Sequence, residues 1–162
     1  MNTHRKIVNV KTLKRILPAW KKRGRTIAFT NGCFDLLHVG HIDYLEKSKK
    51  LNRILVVGLN SDASVKKIKG HKRPINSQNN RARVLAALSC VDYVVIFHEA
   101  DPYRLVQALK PDVLIKGADW KNKKVIGNDI VRALHGKVEL IKYLKGYSTT
   151  NLIRLIRTKC KE

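Results

Sequence analysis

His38 and His41 stand three positions apart around Gly40 in the stretch FTNGCFDLLHVGHIDYL, residues 29–45. Imidazoles so placed can ligate a metal, pack in a core, or hold an oxyanion. A metal would draw on Cys33 or Asp35 as well, and zinc sites are normally completed by a fuller ligand set and an ordered outer shell. Core packing suits a single helical histidine better than two that flank a glycine at a helix start. Phosphate binding fits the physics best. A helix N-terminus offers free N–H groups and the positive end of its dipole, and Gly40 lets an anion approach the main chain.

The flanking sequence says what must position these groups. TIAFT (26–30), RILVVGL (53–59), DYVVIF (92–97), DVLIKG (112–117) and KVELI (137–141) read as strands. Between them, HIDYLEKSKKL, QNNRARVLAAL, PYRLVQALK and NDIVRALHG carry apolar residues at helical spacing. An amphipathic lead-in, VKTLKRILPAWKKRG, and a closing helix, TNLIRLIRTK, bracket them. This alternation predicts an α/β fold, a Rossmann-like doubly wound five-stranded parallel sheet with helices on both faces, as a single domain over residues 1–162. Such sheets bind ligands at the carboxyl ends of strands, where the winding reverses. The histidine stretch belongs there: it leaves the first strand, turns at Gly32 and enters a helix at about His41.

Composition narrows the setting. Cys33, Cys90 and Cys160 are odd in number and form no C-x-x-C pair, so neither a disulfide framework nor a zinc knuckle is expected. No apolar run approaches the roughly 20 residues that span a bilayer, and MNTHRKIVNVK lacks the apolar core of a signal peptide. A soluble cytoplasmic protein without a membrane partner is the expectation. The 34 Lys and Arg against 12 Asp and Glu give a net charge of +22, a field that attracts any polyanion. The basic residues are dispersed and lack the aromatic interleaving of single-strand binders, so a solvated lysine-rich surface is favoured over nucleic-acid binding.

The familiar phosphate loops, G-x-x-x-x-G-K-[ST] and G-x-G-x-x-G, are missing after the first strand. TNGCFDLLHVGH instead resembles the signature of the cytidylyltransferase-like branch of the nucleotidyltransferase superfamily, whose hallmark is H-x-G-H. GLNSDASVKKIKG, KRPINSQNNRARVLAALSCVDYVV, PDVLIKGADW and GYSTTNLI resemble its further blocks, in order, from about residue 25 to 157. Within the branch the blocks look most like the adenylyltransferases that act on D-glycero-β-D-manno-heptose 1-phosphate.

The resemblance implies in-line attack of a sugar phosphate oxygen on the α-phosphate of ATP, with pyrophosphate leaving and no covalent intermediate. His38 and His41 match the family histidines on the triphosphate, and Arg81 the arginine that reaches the phosphates. Thr30, Asn31, Gly32, Cys33, Phe34 and Gly40 would line the nucleotide site, joined by Lys116 and Gly117 at the fourth strand's end. Ser148, Thr149 and Thr150 open the last helix, where one hydroxyl can cap it and the others meet phosphates. Asp35 is near enough to orient His38 or to meet Mg²⁺ through water, and Asn60, Asp62, Lys72 and Arg73 fall to the acceptor side. Mg²⁺ is expected to come with ATP, without a protein metal cage. A homodimer is allowed, and a separate heptose kinase is expected to supply the sugar 1-phosphate. Two rivals stay open at this stage: a cytidylyltransferase acting on glycerol 3-phosphate or a related alcohol phosphate, and a nucleic-acid-binding module that uses the basic surface.

Overall fold

Alternation along the first strand sends its side chains into two different layers. In β1 (Thr26–Gly32), Ile27 and Phe29 enter one apolar cluster and Ala28 the other. The computed structural model describes residues 2–160. β1 is flanked by β2 (Arg53–Asn60), β3 (Tyr93–Phe97), β4 (Val113–Gly117) and β5 (Lys137–Ile141), in a five-stranded sheet of order β3-β2-β1-β4-β5. Every pairing is parallel. β2 is buried along its whole length, as a central parallel strand with both faces covered should be.

α2 (Val39–Ser48) and α4 (Gln78–Ala87) cover one face, setting Leu45, Leu85 and Ala86 against Leu55 and Val57. α1 (Val10–Lys22), α5 (Tyr103–Leu109) and α6 (Asn128–Ala133) cover the other, with Leu13, Leu17, Val106 and Val131 against Phe29 and Val56. The chain winds from β1 outward through β2 and β3, then crosses back to β4 and β5. The doubly wound sheet expected from the sequence is therefore present, with its switch point between β1 and β4. Among the described residues no helix is long and apolar enough to cross a membrane.

Three local features differ from the sequence expectation. The helix after β1 starts at Val39, not His41, because His38 adopts an extended N-cap conformation; His41 therefore lies in the first turn. α7 (Thr149–Lys159) starts one residue early because the Ser148 hydroxyl accepts the Asn151 N–H at 3.1 Å and caps it. A further helix, α3 (Asp62–Lys69), follows β2. Its apolar signal is faint, since only Ser64 and Val65 are buried; Ser61 at its N-cap and lysines in its last turn hold it instead.

Candidate active site

β1 and β4 pair only at Ala28 with Val113 and Phe29 with Leu114, although the strands run on to Gly32 and Gly117. A cleft of about 830 Å³ opens where they part. Lys116 bridges this gap, its Nζ donating to Asn31 Oδ1 at 2.5 Å. The same ammonium lies 4.8 Å from the ring centre of Trp120. Burial lowers the Lys116 pKa to about 8, against a smaller upward pull from Asp119. A lysine so desolvated gains from an anion at its side.

The turn after β1 builds the histidine pair. Phe34 takes a positive φ of 42°, an uncommon conformation for a bulky residue. Its ring folds back on Gly32, where a β-carbon would come within 3.0 Å of it. That ring stands 5.3 Å from the His41 ring, which stacks on His38 with centroids 3.9 Å apart. Gly40 makes room for the stack, since a β-carbon there would lie 3.1 Å from His38 Nδ1. Nδ1 of each histidine is buried and has no hydrogen-bond partner. Burial pushes both pKa values down, His41 to about 4 with the help of the nearby His38 charge. Both rings are thus neutral near pH 7, each with one N–H to give. Imidazole N–H groups beside the N-terminus of α2 can hold an oxyanion.

The opposite wall is the segment leading into α7. Ser148 serves as the cap, Thr149 Oγ1 donates to Leu36 O at 3.4 Å and ties the helix to the β1 turn, and Thr150 lines the cleft. Tyr143 lies directly on Gly117, where any β-carbon would overlap its ring at 2.0 Å. Tyr147 packs beside Gly40, 3.2 Å from where a β-carbon would stand. Residues 143–147 thus form an aromatic strap from Gly117 at the end of β4 to Gly40 in the first turn of α2.

Of the residues singled out in the sequence, the structure brings Asn31, Gly32, Cys33, Phe34, His38, Gly40 and His41 to this cleft, with Lys116 and Gly117 across from them. Ser148, Thr149, Thr150, Asp35, Asn60 and Arg73 also line it. Thr30 does not: its hydroxyl pairs with Tyr44 Oη at 2.8 Å inside the core. Lys72 is exposed away from the cleft, and the Asp62 carboxylate is bound to Arg81 at 2.7 Å.

Arg81, expected to reach the phosphates, is engaged inside the protein and is not among the cleft-lining residues. Its buried guanidinium donates to the carbonyls of Asn76, Cys33 and Asn60 as well as to Asp62, so all its nitrogens are engaged inside the protein. It joins the β1 turn, the end of β2 and the α4 loop. Asp35 is likewise occupied elsewhere than His38. It accepts Arg73 Nε at 2.5 Å and the N–H groups of Ile75 and Asn76 at 2.9 Å. Burial alone would raise its pKa, but the Asn76 and Ile75 N–H groups and Arg73 outweigh burial and hold it low. Residues the sequence reading missed are Ile68 and Lys69 from α3, Asp101 and Pro102 after β3, Trp120, and the strap tyrosines.

Comparison with known proteins agrees with this geometry. A family model described as cytidylyltransferase-like matches residues 29–155. The chain is 55% identical over 148 residues to the bifunctional protein HldE of Geobacter metallireducens, covering 91% of this chain and 30% of that protein. Against HldE of Helicobacter pylori strain 26695 the figures are 52% over 160 residues, 99% and 33%. The chain thus spans about a third of the length of the curated relatives it matches. Among solved structures, the lipopolysaccharide core biosynthesis protein of Thermoplasma volcanium is 33% identical with a TM-score of 0.60, covering 76% of this chain and 98% of that one. Pantoate-beta-alanine ligase of Francisella tularensis, at 18% identity and a TM-score of 0.62 over 93% of this chain and 76% of that one, shares the fold. The switch-point cleft, the H-x-G-H turn inside it and these matches together place the chain in the cytidylyltransferase-like family, as a nucleotidyltransferase.

Proposed function

We propose that this cleft transfers AMP from ATP to D-glycero-β-D-manno-heptose 1-phosphate, giving ADP-heptose and pyrophosphate in lipopolysaccharide precursor synthesis in the cytoplasm. The observation that carries the reading is the stacked, unpartnered His38 and His41 pair at the start of α2, facing the start of α7 across the switch-point cleft. The solved relative described as a lipopolysaccharide core biosynthesis protein supports the pathway. The heptose itself rests on the resemblance of the sequence blocks.

An oxygen of the sugar phosphate attacks the α-phosphorus, a new P–O bond forms, and the bond to the β-phosphate breaks with its electron pair leaving on pyrophosphate. The nucleophile is already anionic, so no general base is required. The protein's task is to align the reactants and to stabilise charge on the α-phosphate and leaving group. His41, in the first turn of α2, donates to the reacting phosphate and His38 to its neighbour. Lys116 adds positive charge from the opposite strand. Thr150 and the first-turn N–H groups of α7 take the terminal phosphates.

Among the described residues no group of three or more His, Cys, Asp and Glu gathers as a metal cage, and the Asp35 carboxylate is already fully hydrogen-bonded. Magnesium would enter with the ATP phosphates rather than in a protein cage, and would supply charge that neutralises the departing pyrophosphate. A sugar kinase would supply the 1-phosphate.

Pyrophosphate release from ATP and from CTP, each against heptose 1-phosphate and glycerol 3-phosphate, tests the reading. Release is expected with ATP and heptose 1-phosphate. Turnover confined to CTP and glycerol 3-phosphate would replace it with the cytidylyltransferase reading.

A further inference from the structure

Beside the cleft a smaller hollow of about 210 Å³ is lined by Arg73, Thr150, Ile153, Arg154 and Arg157. Thr150, Ile153, Arg154 and Arg157 follow one another at helical spacing, so a single face of α7 forms one wall. Arg73, from the loop ahead of α4, forms the other. Thr150 and Arg73 line both hollows, which makes the smaller one an extension of the cleft along α7.

Three arginines thus line one small space. Asp35 takes the Nε of Arg73, leaving the terminal nitrogens of that fork. Among the described residues Arg154 and Arg157 make no ion pair. Like charges brought together in this way repel unless an anion lies between them, and the planar fork of arginine matches phosphate oxygens in pairs. Chance surface charge would not need a hollow or a shared helical face.

We propose that this hollow is a second anion subsite, which binds a phosphoryl group of a ligand already seated in the main cleft. Two sources share that chemistry: the terminal phosphates of the nucleotide, which leave as pyrophosphate, and the phosphate of the acceptor. The assignment of a source rests on the nucleotidyl-transfer reading; the existence of the subsite does not.

The test is calorimetric binding of inorganic pyrophosphate to the whole chain, to an Arg154→Ala/Arg157→Ala variant, and to a Lys11→Ala/Lys14→Ala control that removes the same charge from exposed positions of α1. No residue of α7 is buried, so the arginine variant should keep its circular dichroism and melting temperature. Its pyrophosphate Kd is expected to rise about tenfold or more, while the lysine control stays within about twofold of the parent, as screened distant charges should. In kinetics, a raised KM for ATP alone assigns the subsite to the nucleotide, and a raised KM for the acceptor alone assigns it to the acceptor. Weaker pyrophosphate binding with both KM values unchanged assigns it to the departing product. An unchanged Kd in the arginine variant, or an equal loss in the lysine control, would overturn the subsite.

Discussion

The His38 and His41 rings stack with centroids 3.9 Å apart and planes 26° from parallel. Two imidazolium ions would repel at that distance, and burial already disfavours the charged forms. In the proposed reaction the pair would act as neutral donors, offering a polyphosphate N–H groups that need no solvent removed from a full charge. His41→Ala should lower kcat by about 100-fold or more with native circular dichroism, the scale of losing one donor to transition-state charge. Near-normal kcat in a folded variant would remove His41 from the mechanism.

Acid should act on the same pair. The pKa of His41 falls from 6.5 to about 4 on folding, so its stability contribution is complete above about 6.5 and is lost as pH falls toward 4, where the unfolded chain takes up the proton first. Asp35 and Glu139, also lowered, titrate beneath the ordinary carboxylate range and affect the curve at more acid pH. The melting temperature should decline between pH 6.5 and pH 4, and less steeply in a His38→Asn/His41→Asn variant. NMR titration should place the His41 pKa near 4 in the free protein and higher with ATP bound. An unshifted His41 would contradict the dry stack.

Lys116 sets an alkaline limit. With its pKa lowered to about 8 by burial, the ammonium that faces the cleft is lost as pH rises past that value in the free protein. kcat/KM for ATP should therefore fall above about pH 8, since that ratio reports groups of the free enzyme. Lys116→Gln should be impaired throughout and lack this limb. A limb that persists in the variant would belong to another group.

Much of this was legible in the residues. Short β-branched runs alternating with helical spacing are enough to call a parallel sheet, and H-x-G-H after the first run places chemistry at its edge. The role of Arg81 was not legible, because an arginine on a polar helix reads the same whether it points to solvent or is buried among carbonyls, as here. The partners of Asp35 were not legible for a related reason: nearness in sequence to His38 suggested orienting it or meeting Mg²⁺ through water, whereas the groups that fold against it lie at Arg73, Ile75 and Asn76. The strap escaped notice because Tyr143 and Tyr147 have no periodic pattern, and the room for Tyr143 comes from the bare Cα of Gly117, far away in sequence at the end of β4.

Arg81 gives a prediction of the opposite kind to His41. Replacing it with Met would orphan the carbonyls of Cys33, Asn60 and Asn76 and leave Asp62 without its cation. Each buried carbonyl left without its donor costs about 1–3 kcal/mol, while the pair with Asp62, whose side chain is 35% exposed, counts for less. Urea denaturation of Arg81→Met should show that loss, and the variant's remaining folded fraction should keep most of its ATP affinity. Normal stability with kcat lowered 100-fold or so, the mark of a lost transition-state contact, would return Arg81 to the phosphates.

Transfer of AMP is tested most directly by ³¹P NMR of the protein with ATP, magnesium and heptose 1-phosphate whose phosphate oxygens carry ¹⁸O. The expected products are ADP-heptose and pyrophosphate in equal amounts, with ¹⁸O in the new bridge so that both phosphorus signals of ADP-heptose show the isotope shift and pyrophosphate shows none. Formation of ADP with a further phosphorylated sugar, or label in pyrophosphate, would contradict attack of the sugar phosphate on the α-phosphorus.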